Sequence, residues 1–228
     1  MKPAVPVREH EHEFEAELGL PEPLPAGEHL LWQGAPDWRQ LAIHAFHARK
    51  LTLYFAVLIV IAGATSINSS GFSFESLKST IVLTLLSVVA LGIVLSLAWL
   101  SATTTMYTIT DRRIVMRIGI VLGLTFNLPF SRIESAGLRR LGGGHGDLPL
   151  VIKEPDRIAW LNLWPHARPW QVKRPQPMLR AVANVDEVSS LLSQAWAAAN
   201  GVALTAPANV TTSAAPARHA QPTLAPHG

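Results

Sequence analysis

The chain has 228 residues, 49% of them apolar and 15% charged, with a mean hydropathy of +0.24, no cysteine and a formal net charge of +3. A charged fraction well below the usual ~25% argues against both a disordered chain and an ordinary cytosolic enzyme, and for a membrane protein with a water-facing part. The missing thiols exclude a disulfide scaffold, a thiolate zinc site, an iron–sulfur cluster and a cysteine nucleophile, and so small a charge does not suit nucleic-acid binding.

The charges are unevenly distributed. Residues 1–50 hold five basic and eight acidic side chains, residues 111–200 hold twelve basic and seven acidic, and Leu51 to Thr110 contains only Glu75 and Lys78. Residues 1–18 form an acidic arm with few large apolar side chains, expected to be disordered. A pre-membrane segment follows, 19–50.

Leu51 to Ile67 and Ser79 to Leu100 are uncharged runs of seventeen and twenty-two residues. Crossing hydrocarbon takes about 20 apolar residues, and only a helix satisfies every backbone polar group within such a segment. Ala45, Phe46 and Ala48 lengthen the first run. The expectation is a transmembrane hairpin over 51–101. Arg39, Arg49 and Lys50 precede it, Arg112, Arg113 and Arg117 follow it, and the connecting loop has only Lys78, so both termini are placed in the cytoplasm. Gly63 and Gly92 are small enough for close helix approach.

Residues 114–130, IVMRIGIVLGLTFNLPF, are apolar enough to suggest a third crossing. However, Leu124, Phe126, Leu128 and Phe130 alternate with Thr125, Asn127 and Pro129, the period of a half-buried strand, and Arg117 interrupts the run. The preceding MYTITDRR also alternates, with Asp111 and Arg112 placed for a tight turn. Further strands are expected at Ile133–Leu141, Leu148–Lys153 and Ile158–Trp164, with Gly142–Asp147 as a hairpin loop. Prolines from Pro165 to Pro177 make an extended loop. Asn184 or Asp186 then caps a helix through Ala199, with Val188, Leu191, Leu192, Ala195 and Trp196 on one stripe. The fold class expected is an α+β membrane protein. A two-helix transmembrane hairpin precedes a pleckstrin-homology-like antiparallel β-barrel, 102–200, closed by a C-terminal helix. The Ala-, Pro- and Thr-rich tail, 201–228, is expected to be disordered.

GLPEPLPAGEHLLWQGAPDW (Gly19 to Trp38), the hairpin, YTITDRRIVMRIGIVLGLTFNLPFSRIESAGLRR (Tyr107 to Arg140) and GDLPLVI (Gly146 to Ile152) resemble the photosynthetic complex assembly protein family, PuhB. The LLWQG-x-PDW segment and YTIT-x-RR also look like bacterial PH-type membrane proteins generally. The resemblance runs from about Gly19 to Ala199. It implies a non-catalytic assembly factor in the inner, photosynthetic membrane of a bacterium, with the reaction centre and light-harvesting subunits as partners. No catalytic residues carry over. The alternatives are a membrane-tethered interaction module with other clients, or a bacteriochlorophyll carrier. Homo-oligomerisation is left open.

Few residues suggest chemistry. His10 and His12 among glutamates form a solvated arm or a weak divalent-ion site. His44 and His47, three apart, are expected on one helical face at the membrane surface, where an imidazole suits the magnesium of bacteriochlorophyll. No resident cofactor is otherwise expected. Gly142–Asp147 lacks the following Lys and helix of a phosphate loop. Arg112, Arg113, Arg139 and Arg140 are the candidates for contact with anionic lipid headgroups.

Overall fold

The computed structural model describes residues 23–71, 74–120, 122–153 and 158–202. The acidic arm with His10 and His12, and the tail from residue 203 onward, lie outside the described residues. Strand β1 (Leu30–Gly34) leads into helix α1 (Trp38–His44). Asp37 caps α1, its Oδ1 accepting the Gln40 N–H at 2.8 Å, a contact worth about 1 kcal/mol. The chain then breaks at Ala45–His47, with His47 in the left-handed region (φ 56°), and starts α2 (Ala48–Ser70). Gly71 (φ 68°) turns it towards α3 (Phe74–Thr103). Helices α2 and α3 are both long and apolar enough to cross a membrane.

They are apolar on every side, and large side chains all round them are exposed, Val60 to 70% and Val88 to 61%. A soluble protein's surface helix would keep a polar face. Facing pairs Ser66–Ser79 and Gly63–Thr80 make α2 and α3 an antiparallel hairpin. Its own packing requires neither glycine. A Cβ on Gly63 would touch Thr80 Cγ2 at an ordinary 3.9 Å, and one on Gly92 would meet nothing within 4 Å.

Strands β2 (Met106–Thr110), β3 (Arg113–Ile118) and β4 (Leu124–Pro129) form a meander. Residues 114–118 and 124–129 of this apolar run are therefore strands rather than a third long helix, and the alternation predicted for Leu124–Phe130 falls on β4. Strand β1 pairs with β2, Gly34 opposite Tyr107, giving a sheet ordered β1-β2-β3-β4. A 3-10 turn, Phe130–Arg132, leads to β5 (Ile133–Ala136), β6 (Arg139–Gly142) and β7 (His145–Ile152). After the short helix α4 (Trp160–Leu163) come β8 (Met178–Val182) and α5 (Val185–Asn200). Strand β7 pairs with β5, β6 and β8, all antiparallel. Tyr107, Ile109, Ile114 and Met116 from the first sheet meet Leu148, Leu150, Leu179 and the α5 residues Val188 and Leu192 in one core.

Four expectations need correction. The strands make two sheets rather than a closed barrel: Pro129, with no N–H to offer a further strand, ends β4, and the 3-10 turn carries the chain to the other sheet. Ile158–Trp164 is not a strand. Trp160 and Leu163, three apart, share the inward face of α4, while Leu161 points outward. The hairpin loop is only Gly143–Gly144, both at positive φ (60° and 76°), the conformation a two-residue turn demands; Asp147 lies inside β7, buried. His44 and His47 do not share a helix, since the break before α2 falls between them.

Candidate functional site

Helix α3 runs almost directly into β2, and a buried polar chain joins the two to the rest of the domain. Tyr107 Oη lies 2.6 Å from His166 Nδ1 and accepts the Arg180 backbone N–H at 3.1 Å. Its single proton is therefore free to be donated to Nδ1. That assigns the other tautomer, with Nε2–H facing Thr105 Oγ1 at 3.1 Å and Ser101 Oγ at 3.4 Å. Thr105 Oγ1 in turn donates to the Ser101 carbonyl at 2.6 Å. Tyr107 and His166 are both wholly buried, and burial, reinforced by Arg180, pushes the His166 pKa down to about 3. The imidazole is neutral here and holds the end of α3 against β2 and β8. Sequence reasoning did not single out His166, which stands in the proline-rich loop with no local pattern around it.

A second cluster lies where α1 gives way to α2. Helix α1 packs on α3 and β8, with Leu41 against Ala102 and Ala181, and Phe46 meets Trp164 edge-on, ring centroids 5.5 Å apart. Beside this break opens a cleft of about 640 Å³ whose lining includes His44, His47, Lys50, Arg139, Arg168 and Trp170. The two histidines are thus brought together across the break. Burial, then Arg139, lowers the pKa of His44, with Asp147 opposing. Arg139 Nη2 lies 2.9 Å from Asp147 Oδ2, and Asp147 Oδ1 accepts the Ala181 N–H at 2.9 Å. On the next strand Arg180 is almost fully buried and its Nε has no hydrogen-bond partner among the described residues. Burial lowers its pKa, Asp147 partly opposing.

The four arginines singled out for lipid contact do not form one patch. Arg112 and Arg113 stand at the β2–β3 turn, at the end of β2 away from α3. Arg112 Nη2 donates to the Gly27 carbonyl at 2.9 Å, and Arg113 Nε pairs with the buried Glu28 at 2.8 Å. Arg140 makes an exposed pair with Asp186 at 2.6 Å. Only Arg139 lies at the cleft. Among the described residues no three His, Asp or Glu side chains gather as a metal site. A separate, mainly apolar groove runs between β5 and α5, lined by Ile133, Ala136, Leu192 and Trp196.

Comparison with known proteins places this architecture. The chain is 38% identical over 190 residues to an uncharacterised 23.7 kDa protein of the puhA 5′ region in Rhodobacter capsulatus, covering 82% of this chain and 88% of that one. A solved structure, a DUF1696 family protein with a pleckstrin-homology domain from Shewanella loihica, is 12% identical and covers 40% of this chain and 69% of its own, with a TM-score of 0.27. The bacterial PH domain profile matches residues 56–196, from within α2, through β2 to β8, to Trp196 on α5. A match over more than half of the chain, reaching from α2 to α5, means that the chain belongs to the bacterial PH domain family.

Proposed function

We propose that the protein is a non-catalytic assembly factor for the bacterial photosynthetic reaction centre and its light-harvesting ring. In this reading α2 and α3 cross the inner, photosynthetic membrane and both termini are cytoplasmic. The observation that carries it is the identity to a protein encoded 5′ of puhA, which agrees with the resemblance of the Gly19–Ala199 motifs to the photosynthetic complex assembly (PuhB) family. The geometry supports a binding role: an apolar hairpin for membrane clients, and beneath it a domain fixed to the hairpin through Ser101, Thr105 and His166.

Deleting the gene should lower the amount of assembled reaction centre while leaving pigment synthesis and subunit transcripts unchanged. Normal assembly at the normal rate in the deletion strain would remove the reading, and an interaction module with other clients would replace it. Gly92→Leu is the sharper internal test. Gly92 faces open space rather than α2, so leucine there should weaken client co-purification more than membrane insertion. A second reading, pigment carriage, draws on the meeting of His44 and His47 in one cleft. It requires bacteriochlorophyll to co-purify and to be lost in His44→Ala or His47→Ala.

A further inference from the structure

The cleft at the α1–α2 break has an imbalance of charge. Lys50 comes from the first turn of α2, Arg139 from β6 and Arg168 from the loop before β8, and no carboxylate is among the described lining residues. Behind them, cross-strand register puts Arg139 opposite Asp147, and Pro149 opposite Met178. Arg180 lies farther along the same strand, where the β7–β8 register slips across from Asp147. Asp147 pairs with Arg139 and already accepts the Ala181 N–H, and its charge acts on Arg180 as well. Helix α2 adds to the field. Its N-cap, His47, makes no side-chain capping bond, and its first turn holds no acidic residue, leaving the positive end of the helix uncompensated.

The surroundings say what kind of anion fits. Trp170, on the cleft wall, is 96% exposed, and Trp164 nearby is 46% exposed. Exposed indoles at the base of an apolar helix are the side chains that favour the headgroup level of a bilayer. A soluble anion would give no reason for these apolar surfaces to stand uncovered. We propose that this cleft binds the phosphate of an anionic phospholipid headgroup, held by Lys50, Arg139 and Arg168, with Trp170 lying among the neighbouring headgroups. The site rests on the reading that α2 crosses the bilayer.

The test uses the full-length protein in nanodiscs of equal phosphatidylglycerol and phosphatidylcholine, with retained lipids counted by native mass spectrometry after release. Phosphatidylglycerol should be retained in preference to phosphatidylcholine. Lys50→Gln and Arg168→Gln should each reduce that preference about fivefold, as should Arg139→Gln. The first two remove no contact to a buried group, so they remain informative if Arg139→Gln fails to fold. Arg117→Gln, which removes a charge on β3 outside the cleft, should leave the preference unchanged. Equal retention of the two lipids would overturn the site, as would an Arg117→Gln loss matching that of Lys50→Gln, which indicates diffuse surface attraction. Displacement of the lipid by millimolar inorganic phosphate would instead assign the cleft to a soluble anion. A chain that never inserts into the nanodisc overturns the crossing and the site together, a result distinguishable from equal retention in inserted protein.

Discussion

His166 shows how one neutral ring can set a pH range for a domain. Its pKa in the folded chain is about 3 against an ordinary 6.5. Below pH 6.5 the unfolded chain therefore takes up a proton that the folded chain refuses. The contribution to stability is whole above pH 6.5 and is lost progressively as pH falls towards 3, where the loss reaches on the order of 4 kcal/mol. Denaturation followed at pH 7, 5 and 4 should show that decline, and a His166→Gln variant should flatten it. Tyr107→Phe should cost about 1–3 kcal/mol at pH 7, because the Arg180 N–H and His166 Nδ1 would both stay buried and lose their shared partner; an unchanged melting temperature would mean that water replaces the hydroxyl. None of this network was legible in the sequence. Its members run from Ser101 to Arg180, and only the fold makes them neighbours. The arginines were legible as charges, but not their obligations: Glu28 and Gly27 engage Arg113 and Arg112 from a segment about 85 residues earlier.

Strands were readable wherever one face meets solvent and the other the core. Strand β4 alternates and was placed within a residue of its true ends. Strand β8 carries no such signal, because Met178 to Val182 are all buried. Strand β1 is short, proline-flanked and stabilised by pairing with β2, a partner far away in sequence. Helix α5 follows its stripe, but Trp196 is only half-buried. The indole N–H donates to the Ile133 carbonyl at 3.1 Å, and the ring walls the groove beside β5. Trp196→Ala should therefore cost about 2 kcal/mol, less than a fully buried aromatic, as read by thermal melts. Gly146 is a more stringent position. A Cβ there would come within 2.7 Å of both the Arg139 carbonyl and Val185 Cγ1, so Gly146→Ala must push β6 or the start of α5 aside. We expect a loss of about 1–3 kcal/mol, and a neutral substitution would mean that α5 is loosely seated.

The two apolar helices and the strand-rich domain after them were the most legible features of the whole chain, because hydropathy acts over tens of residues and needs no tertiary partner. The structure gives the apolar helices and puts every later described apolar run into sheets or short helices. On the proposed topology, a reporter fused after Gly201 should read cytoplasm, as should one at the N-terminus. A periplasmic signal from the C-terminal fusion would reverse the proposed topology.

Only Thr104 and Thr105 separate the last residue of α3 from the first of β2, and Thr105 is itself tied to Ser101 and His166. Such a joint has no slack. Tilt or rotation of α3 about its axis should then be transmitted as torque into β2, an inner strand of the first sheet, and the domain is expected to move as a lever arm rather than a tethered float. On the proposed function, a membrane client that leans on the hairpin would thereby re-aim the domain, including the groove beside α5. Inserting Gly-Ser-Gly after Thr103 should uncouple the two. Distance measurements between spin labels on α3 and α5 should broaden in that variant and stay narrow in the parent chain.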